Sequence, residues 1–510
     1  MAMTESASLP RIVIIGCGIA GIGAAQCLFS HGYRDLKVVE ATARPGGRIK
    51  TTKFGKGLVE IGANWIHGPS KQNPVFQLAC QHGLLDAEAL SEKNQAIKLG
   101  GHLAHLPVSY SSSGKVISPV VNETIRQFYI NVLEKAKEAF SAGKEPCASF
   151  GEFVKVEALE AMQTWKDDAD SPQLHLAVLN AMMKHECCTN GTHSMDLVGF
   201  SGYGEYETLP GLDCTFPRGY EGIIDSLMTS LPKGIFTFNK PVRCIHWQST
   251  SPGSNSSGQR TFPVLVELKN GETLLADHVI VTVPLGYLKE HYRTFFHPPL
   301  PSTKAKSIEK MGFGINNKIF MEFEKPFWEP DCQRIHLVWE DESPFDDVRL
   351  NLQKNWFKKL ARITVLHPSE RYGHVLCGWI AGYEGEYMET LSDAEVLNTM
   401  TQLIRRFTGN HPCATPKRIL RTRWNSDPYT KGCYSYTGIG CTGDDIDSLA
   451  EPLPSSQEWK DKPLQVLFAG EATHRNFYST THGALLSGRR EADRIIKFYT
   501  PDSLRSKSKL

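Results

Sequence analysis

Net charge is almost absent from this chain of 510 residues: 56 Lys and Arg face 55 Asp and Glu, leaving +1 with His neutral. Without an excess of either sign, the chain does not read as a coat for nucleic acid or for an anionic membrane. Metal-ligand spacings are missing as well, with no CxxC pair and no His-rich cluster. The 13 Cys are odd in number and scattered, and Cys187 and Cys188 are adjacent. This usage excludes a secreted disulfide framework and predicts reduced thiols and no structural metal. Internal repeats are lacking, and low complexity is confined to the Ser/Gly-rich stretch 249–258, which predicts a loop. Long apolar runs are lacking with one exception, Ile12 to Phe29, preceded by Arg11. Four glycines, Gly16, Gly18, Gly21 and Gly23, make that run a poor membrane helix or signal peptide. What remains is 41% hydrophobic and 22% charged, the balance of a globular protein long enough for two or three domains and a core without staples.

The exceptional run divides into a β-branched stretch Ile12-Val13-Ile14-Ile15, a turn Gly16-x-Gly18-x-Ala20-Gly21, and an Ala-rich helical stretch. Strand, Gly-rich turn and helix in that order form a dinucleotide-binding fingerprint. The first Gly permits the tight turn, the second lets a diphosphate approach the backbone, and the third lets helix and strand pack. The helix N-terminus then offers free N–H groups to phosphate. A second strand, Leu36 to Val39, ends at Glu40, placed to accept hydrogen bonds from a ribose and to repel a 2′-phosphate. NADP is therefore disfavoured.

Further stretches carry a resemblance. Ala43-Arg44-Pro45-Gly46-Gly47-Arg48 follows Glu40, and Val466 to Ala469 leads into Gly470-Glu471. Tyr478-Ser479-Thr480-Thr481-His482-Gly483 then opens a helical stretch to Phe498. With Gly62-Ala63-Asn64-Trp65-Ile66-His67-Gly68-Pro69, Glu186-Cys187-Cys188, Gly191 to Leu197 and Asn316-Asn317-Lys318-Ile319-Phe320, the chain resembles the flavin-containing amine oxidases, and among them the polyamine oxidases. The resemblance spans nearly the whole sequence. It implies FAD held noncovalently by Gly16, Gly18, Ala20, Gly21, Glu40, Arg48, Gly62, Ala63, Asn64, Val242, Gly470, Glu471, Ser479 and Thr480. Cys433 stands where monoamine oxidases carry a flavin-linked cysteine, so a covalent link there is a further possibility to test.

The implied fold class is α/β plus α+β: a discontinuous Rossmann-like FAD-binding domain (GR2 type) with a substrate-binding domain of mixed sheet and helices. The expected FAD-binding pieces are 1–72, 215–294 and 421–500. The substrate pieces are 73–214 and 295–420, and 501–510 is a tail. Lys240 to Trp247 reads as a strand, Val264 to Leu268 and Thr273 to Val283 as a hairpin, and Ala394 to Phe407 as an amphipathic helix.

By the same resemblance, Lys318 assists oxygen reduction through a water near flavin N5, and His67 orients the substrate amine or takes its proton. Glu186 faces a distal ammonium, Trp379 and Tyr478 sandwich the amine, and Tyr434 lines the site. The implied reaction is oxidation of N1-acetylspermine and N1-acetylspermidine, with dioxygen as acceptor and hydrogen peroxide as product. Free spermine is the nearest alternative substrate, and a catalytically silent flavoprotein scaffold is the alternative of another class. The chain ends Ser508-Lys509-Leu510, which matches the peroxisomal address read by an import receptor, so the peroxisome is the expected location and the cytoplasm the alternative. The expected partners are therefore a small polyamine, dioxygen and that receptor, with no nucleic acid, no membrane and a monomeric state.

Overall fold

The computed structural model describes residues 9–87, 89–95, 97, 107–165, 172–248, 260–346, 351–455 and 463–500. The Ser/Gly stretch 249–258 and the C-terminal Ser508-Lys509-Leu510 lie outside the described residues.

The run Ile12–Ile15 is buried along its whole length because it is the central strand of a five-stranded parallel sheet. Across that sheet the order is Val466–Phe468, His278–Val281, Ile12–Ile15, Leu36–Val39 and Phe236–Thr237. The strands come from the two ends and the middle of the chain. The helix Ile19–Ser30 packs on one face of this sheet against the C-terminal helix Thr481–Tyr499. A four-stranded sheet packs on the other side, in the order Phe296–His297, Val242–His246, Val264–Leu268 and Thr273–Ala276. Helix Pro74–Gln81, just past residue 72, contributes Val75, Phe76, Leu78 and Ala79 to the first of these two cores.

The expected second arm of the hairpin, Thr273 to Val283, proves to be two strands. Thr273–Ala276 pairs antiparallel with Val264–Leu268, whereas His278–Val281 enters the parallel sheet. The carboxylate of Asp277 accepts from the Arg11 backbone N–H at 2.7 Å and from Arg260 at 2.6 Å, pinning the changeover.

A six-stranded mixed sheet forms the other part of the molecule, in the order Arg418–Arg421, Asn316–Glu322, Val375–Ala381, Arg362–Val365, Arg334–Val338 and Val108–Ser111. One face carries Ile319, Met321, Ile335, Leu337 and Ile363 and packs beneath the helix Asp393–Phe407. By strand alternation the other face carries Lys318, Trp379, Arg362 and His336. Helix Pro172–Asn190 packs against the strands Arg334–Val338 and Val375–Ala381.

Candidate active site

The Gly-rich turn is shaped by close approach. Gly16 has φ +106°, which favours glycine. A Cβ on Gly21 would stand 2.0 Å from the Gly16 carbonyl oxygen, so only Gly lets the helix dock there. The N-cap Gly18 supplies no side chain, which leaves the first-turn N–H groups of the 12-residue helix open. Glu40 is buried beside this turn. Its carboxylate accepts from the Cys17 N–H at 2.8 Å and from Thr42 N–H and Oγ1–H at 2.9 and 2.8 Å.

Arg48 ties two distant segments to this end of the site. Its guanidinium donates to Glu471 Oε1 at 2.8 Å and to the Cys433 carbonyl at 2.5 Å. Glu471 also accepts from Ser435 Oγ–H at 2.6 Å and Ser479 N–H at 2.8 Å. Ser479 adopts φ +67°, and Thr480 caps the helix Thr481–Tyr499 by accepting from Gly483 N–H at 2.9 Å. Gly62, Ala63 and Asn64 follow on a loop whose Ala63 N–H donates to Arg48 at 3.1 Å. Val242 lies at the start of its strand with its side chain buried.

Gly16, Gly18, Glu40, Arg48, Gly62 to Asn64, Val242, Glu471, Ser479 and Thr480 line one cavity of about 2120 Å³, which continues to the face of the mixed sheet that bears Lys318 and Trp379. That volume exceeds the roughly 300–1000 Å³ typical of a single small-ligand site, so it has room for a dinucleotide and a second molecule. The open helix N-terminus, the glycine cradle and the acid beside it fit FAD.

Lys318 stands on the wall where the two parts meet. Its ammonium donates to the carbonyls of Glu60 at 2.6 Å and Gly62 at 2.7 Å. It also lies 4.7 Å from the ring centre of its cross-strand partner Trp379. Burial pulls its pKa down to about 8, with Cys377 and Glu60 acting the other way. Trp379 stacks on Trp65 at 5.5 Å, and Trp65 lies 6.4 Å from His67. His67 Nδ1 meets the buried carboxylate of Asp213 at 2.7 Å. Tyr478 packs edge-on against Tyr206, and both line the cavity. Tyr434 donates its hydroxyl proton to the Cys188 carbonyl and accepts from Asn316 Nδ2 at 2.9 Å.

Glu186 lines the cavity beside Arg362, and burial pushes its carboxyl up to about 7 against the pull of that guanidinium. Cys433 is bonded within the fold: its thiol donates to the Asn316 carbonyl at 3.2 Å and accepts from the Asn316 N–H at 3.1 Å. Burial pushes this thiol up to about 12, so it is not held as a nucleophilic thiolate. Sequence reasoning gave no role to Asp213, Trp65, Tyr206 or Arg362. Of these only Trp65 lies within a stretch that carried the resemblance. No group of three or more His, Cys, Asp or Glu suited to a metal occurs among the described residues.

A mixed α/β architecture and a Gly-turn cavity meeting an aromatic, lysine-bearing wall define a dinucleotide-dependent oxidoreductase. The flavin-containing amine oxidoreductase family matches residues 19–496, and the chain belongs to that family. FAD is its cofactor, and it is an oxidase acting on CH–NH groups. The peroxisomal N(1)-acetyl-spermine/spermidine oxidase of Bos taurus is 52% identical over 97% of this chain and 96% of its own. The Homo sapiens protein of that name is 52% identical over 98% and 97%. A probable polyamine oxidase of Arabidopsis thaliana is 32% identical over 96% and 98%. Among solved structures, putrescine oxidase bound to putrescine has the same fold, with a TM-score of 0.67, 19% identity and coverage of 96% and 99%.

Proposed function

We propose that this chain oxidises N1-acetylspermine and N1-acetylspermidine to spermidine or putrescine, 3-acetamidopropanal and hydrogen peroxide. The proposal divides it into a discontinuous Rossmann-like FAD-binding domain and a substrate-binding domain. The observation that carries it is the meeting of Lys318, the Trp65–Trp379 stack and the His67–Asp213 pair in one cavity with the Gly-rich turn. The 52% identical relatives bear the matching activity in their names.

In this reading the turn Gly16 to Gly21, Glu40, Arg48, Gly62 to Asn64, Val242, Gly470, Glu471, Ser479 and Thr480 hold FAD. The chemistry that FAD supplies when bound is acceptance of a hydride from the carbon next to the amine, followed by delivery of the electrons to dioxygen. An ammonium has no lone pair to assist that loss, so the substrate amine must first give up a proton. In this reading His67 takes it. The Asp213 carboxylate accepts from Nδ1–H, which leaves Nε2 with a free lone pair for that proton. Trp65, Trp379, Tyr206 and Tyr478 offer ring faces and edges that hold an amine by shape and cation–π contact while excluding water. Lys318, fixed by two carbonyls, keeps a third N–H that would serve the reaction with dioxygen once FAD is bound. The 52% identical relatives are named peroxisomal, and this reading assigns the chain to the same compartment.

The test is a peroxide-coupled comparison of N1-acetylspermine, spermine, a simple monoamine and an L-amino acid. N1-acetylspermine is expected to give the highest kcat/KM. A wide margin for spermine overturns the acetylated-substrate reading. Failure of N1-acetylspermine to bleach the bound flavin without oxygen overturns the oxidase reading for this substrate.

A further inference from the structure

The cavity-facing side of the mixed sheet carries more positive charge than a polyamine site requires. Lys318 pairs across the strands with Trp379. Ile363 pairs with Gly378, so the antiparallel register brings Arg362 opposite Trp379, and Arg362 in turn pairs with His336. Lys318, Trp379, Arg362 and His336 thus form one row on one face. Adjacent strands lie about 4.8 Å apart, which puts the Arg362 backbone roughly 10 Å from that of Lys318. A substrate arm of a few carbons, met by the two side chains, spans such a gap.

Arg362 is 7% exposed and lines the cavity. One Nη touches His185, the other Nη makes no hydrogen bond among the described residues, and the Nε–H, also unpaired, is closed off from the cavity. Glu186 lines the same cavity from helix Pro172–Asn190. It forms no ion pair with Arg362 within 4 Å among the described residues, although its carboxyl group is near enough to act on the guanidinium. His336 is kept neutral by burial and by Arg362 and Arg334, so it adds no further positive charge. A donor that lacks a partner and a nearby acceptor that is not joined to it leave a place for a group with one acceptor and one donor.

An acylamide is such a group. A free ammonium offers only donors, and beside Arg362 it meets a like charge. Resting on the acetylpolyamine reading above, we propose that Arg362 and Glu186 form the subsite for the acylamido end of the substrate. The guanidinium donates to the amide carbonyl, and the Glu186 carboxylate accepts from the amide N–H. On this proposal Glu186 recognises the amide and not a distal ammonium, and Arg362 sets the preference for acylated over free amines.

The experiment compares kcat/KM for N1-acetylspermine and spermine in the wild-type holoenzyme, Arg362→Met and Arg362→Lys, each normalised to bound flavin. In Arg362→Met the value for N1-acetylspermine is expected to fall about 10- to 100-fold, mainly through KM, the scale of one charge-assisted hydrogen bond. The value for spermine is expected to hold or rise, and Arg362→Lys to recover part of the difference. An unchanged acetylated-to-free ratio in flavin-loaded Arg362→Met overturns the subsite. If that variant does not load flavin, the ratio in Arg362→Lys decides: a lowered ratio supports the subsite and an unchanged one overturns it. A wild-type enzyme that oxidises neither substrate overturns the acetylpolyamine reading itself.

Discussion

Two backbone carbonyls, of Glu60 and Gly62, hold the Lys318 ammonium at the junction of the two parts of the molecule. Its side chain is also fixed against Trp379, so methionine can replace its bulk but not its proton. In Lys318→Met, reoxidation of the reduced enzyme by dioxygen is expected to slow about 100-fold, within the usual range for loss of a positioned proton donor. Anaerobic reduction by substrate should change far less. Burial sets the Lys318 pKa at about 8, so wild-type reoxidation should change around that pH and the dependence should vanish in the variant. Stopped-flow traces of the two half-reactions check this, and equal slowing of both would refute the assignment. Lys318 was legible because it sits inside a recognisable stretch. Asp213 was not: it lies 146 residues from His67, and Leu212-Asp213-Cys214 has no periodicity or spacing that names a partner. Arg362 was hidden likewise, because its significance comes from a cross-strand row and sequence gives no register between strands so far apart.

At the scale of elements, the amphipathic spacing of Ala394 to Phe407 was legible, and the structure starts that helix at Asp393 with a reciprocal capping box: Ser392 Oγ accepts from Glu395 N–H at 3.2 Å, and Glu395 accepts from Ser392 N–H at 2.8 Å. Ser392→Ala is expected to cost about 1 kcal/mol, read as a lower urea midpoint with unchanged slope. The cost should be confined to stability, because neither Ser392 nor Glu395 lines the cavity. The strand Ile12–Ile15 and its Gly-rich turn were legible for a similar reason: burial on both faces leaves an unbroken apolar run, and the turn needs Gly at fixed offsets. The break within Thr273 to Val283 was not legible. Both halves favour strand, and only the distant Arg11 and Arg260 bonding to Asp277 separates them. The order of the six-stranded sheet was not legible either, since Val108–Ser111 joins Arg334–Val338 across more than 200 residues.

Across the whole molecule, the two ends of the chain and its middle meet at His278. This residue lies in the parallel sheet between Ile12–Ile15 and Val466–Phe468 and is fully buried. Its Nδ1 meets the Leu464 carbonyl at 2.6 Å and its Nε2 meets the Tyr499 hydroxyl at 2.7 Å. The neutral ring satisfies both contacts by donating from Nδ1–H and accepting at Nε2 from the Tyr499 O–H. A second proton would turn that acceptor into a donor, and burial accordingly pulls the pKa of His278 from 6.5 down to about 4. His474, likewise pulled down to about 4 by burial, acts in the same direction. The sign of the effect follows from the unfolded chain, whose histidines protonate near 6.5. Between pH 6.5 and about 4 the unfolded state takes up protons that the folded state refuses, so stability is complete above 6.5 and falls as the medium is acidified through that window. His278 alone contributes on the order of 3 kcal/mol to this fall. His278→Asn is expected to lower Tm at pH 7, because the bridge to Tyr499 is lost, and to flatten the decline of Tm between pH 6.5 and 4. Thermal unfolding of the FAD-loaded wild type and variant at matched pH values checks both effects. A variant with a lowered Tm at pH 7 but an undiminished acid slope would show that His278 bridges the sheet to the C-terminal helix without setting the pH dependence.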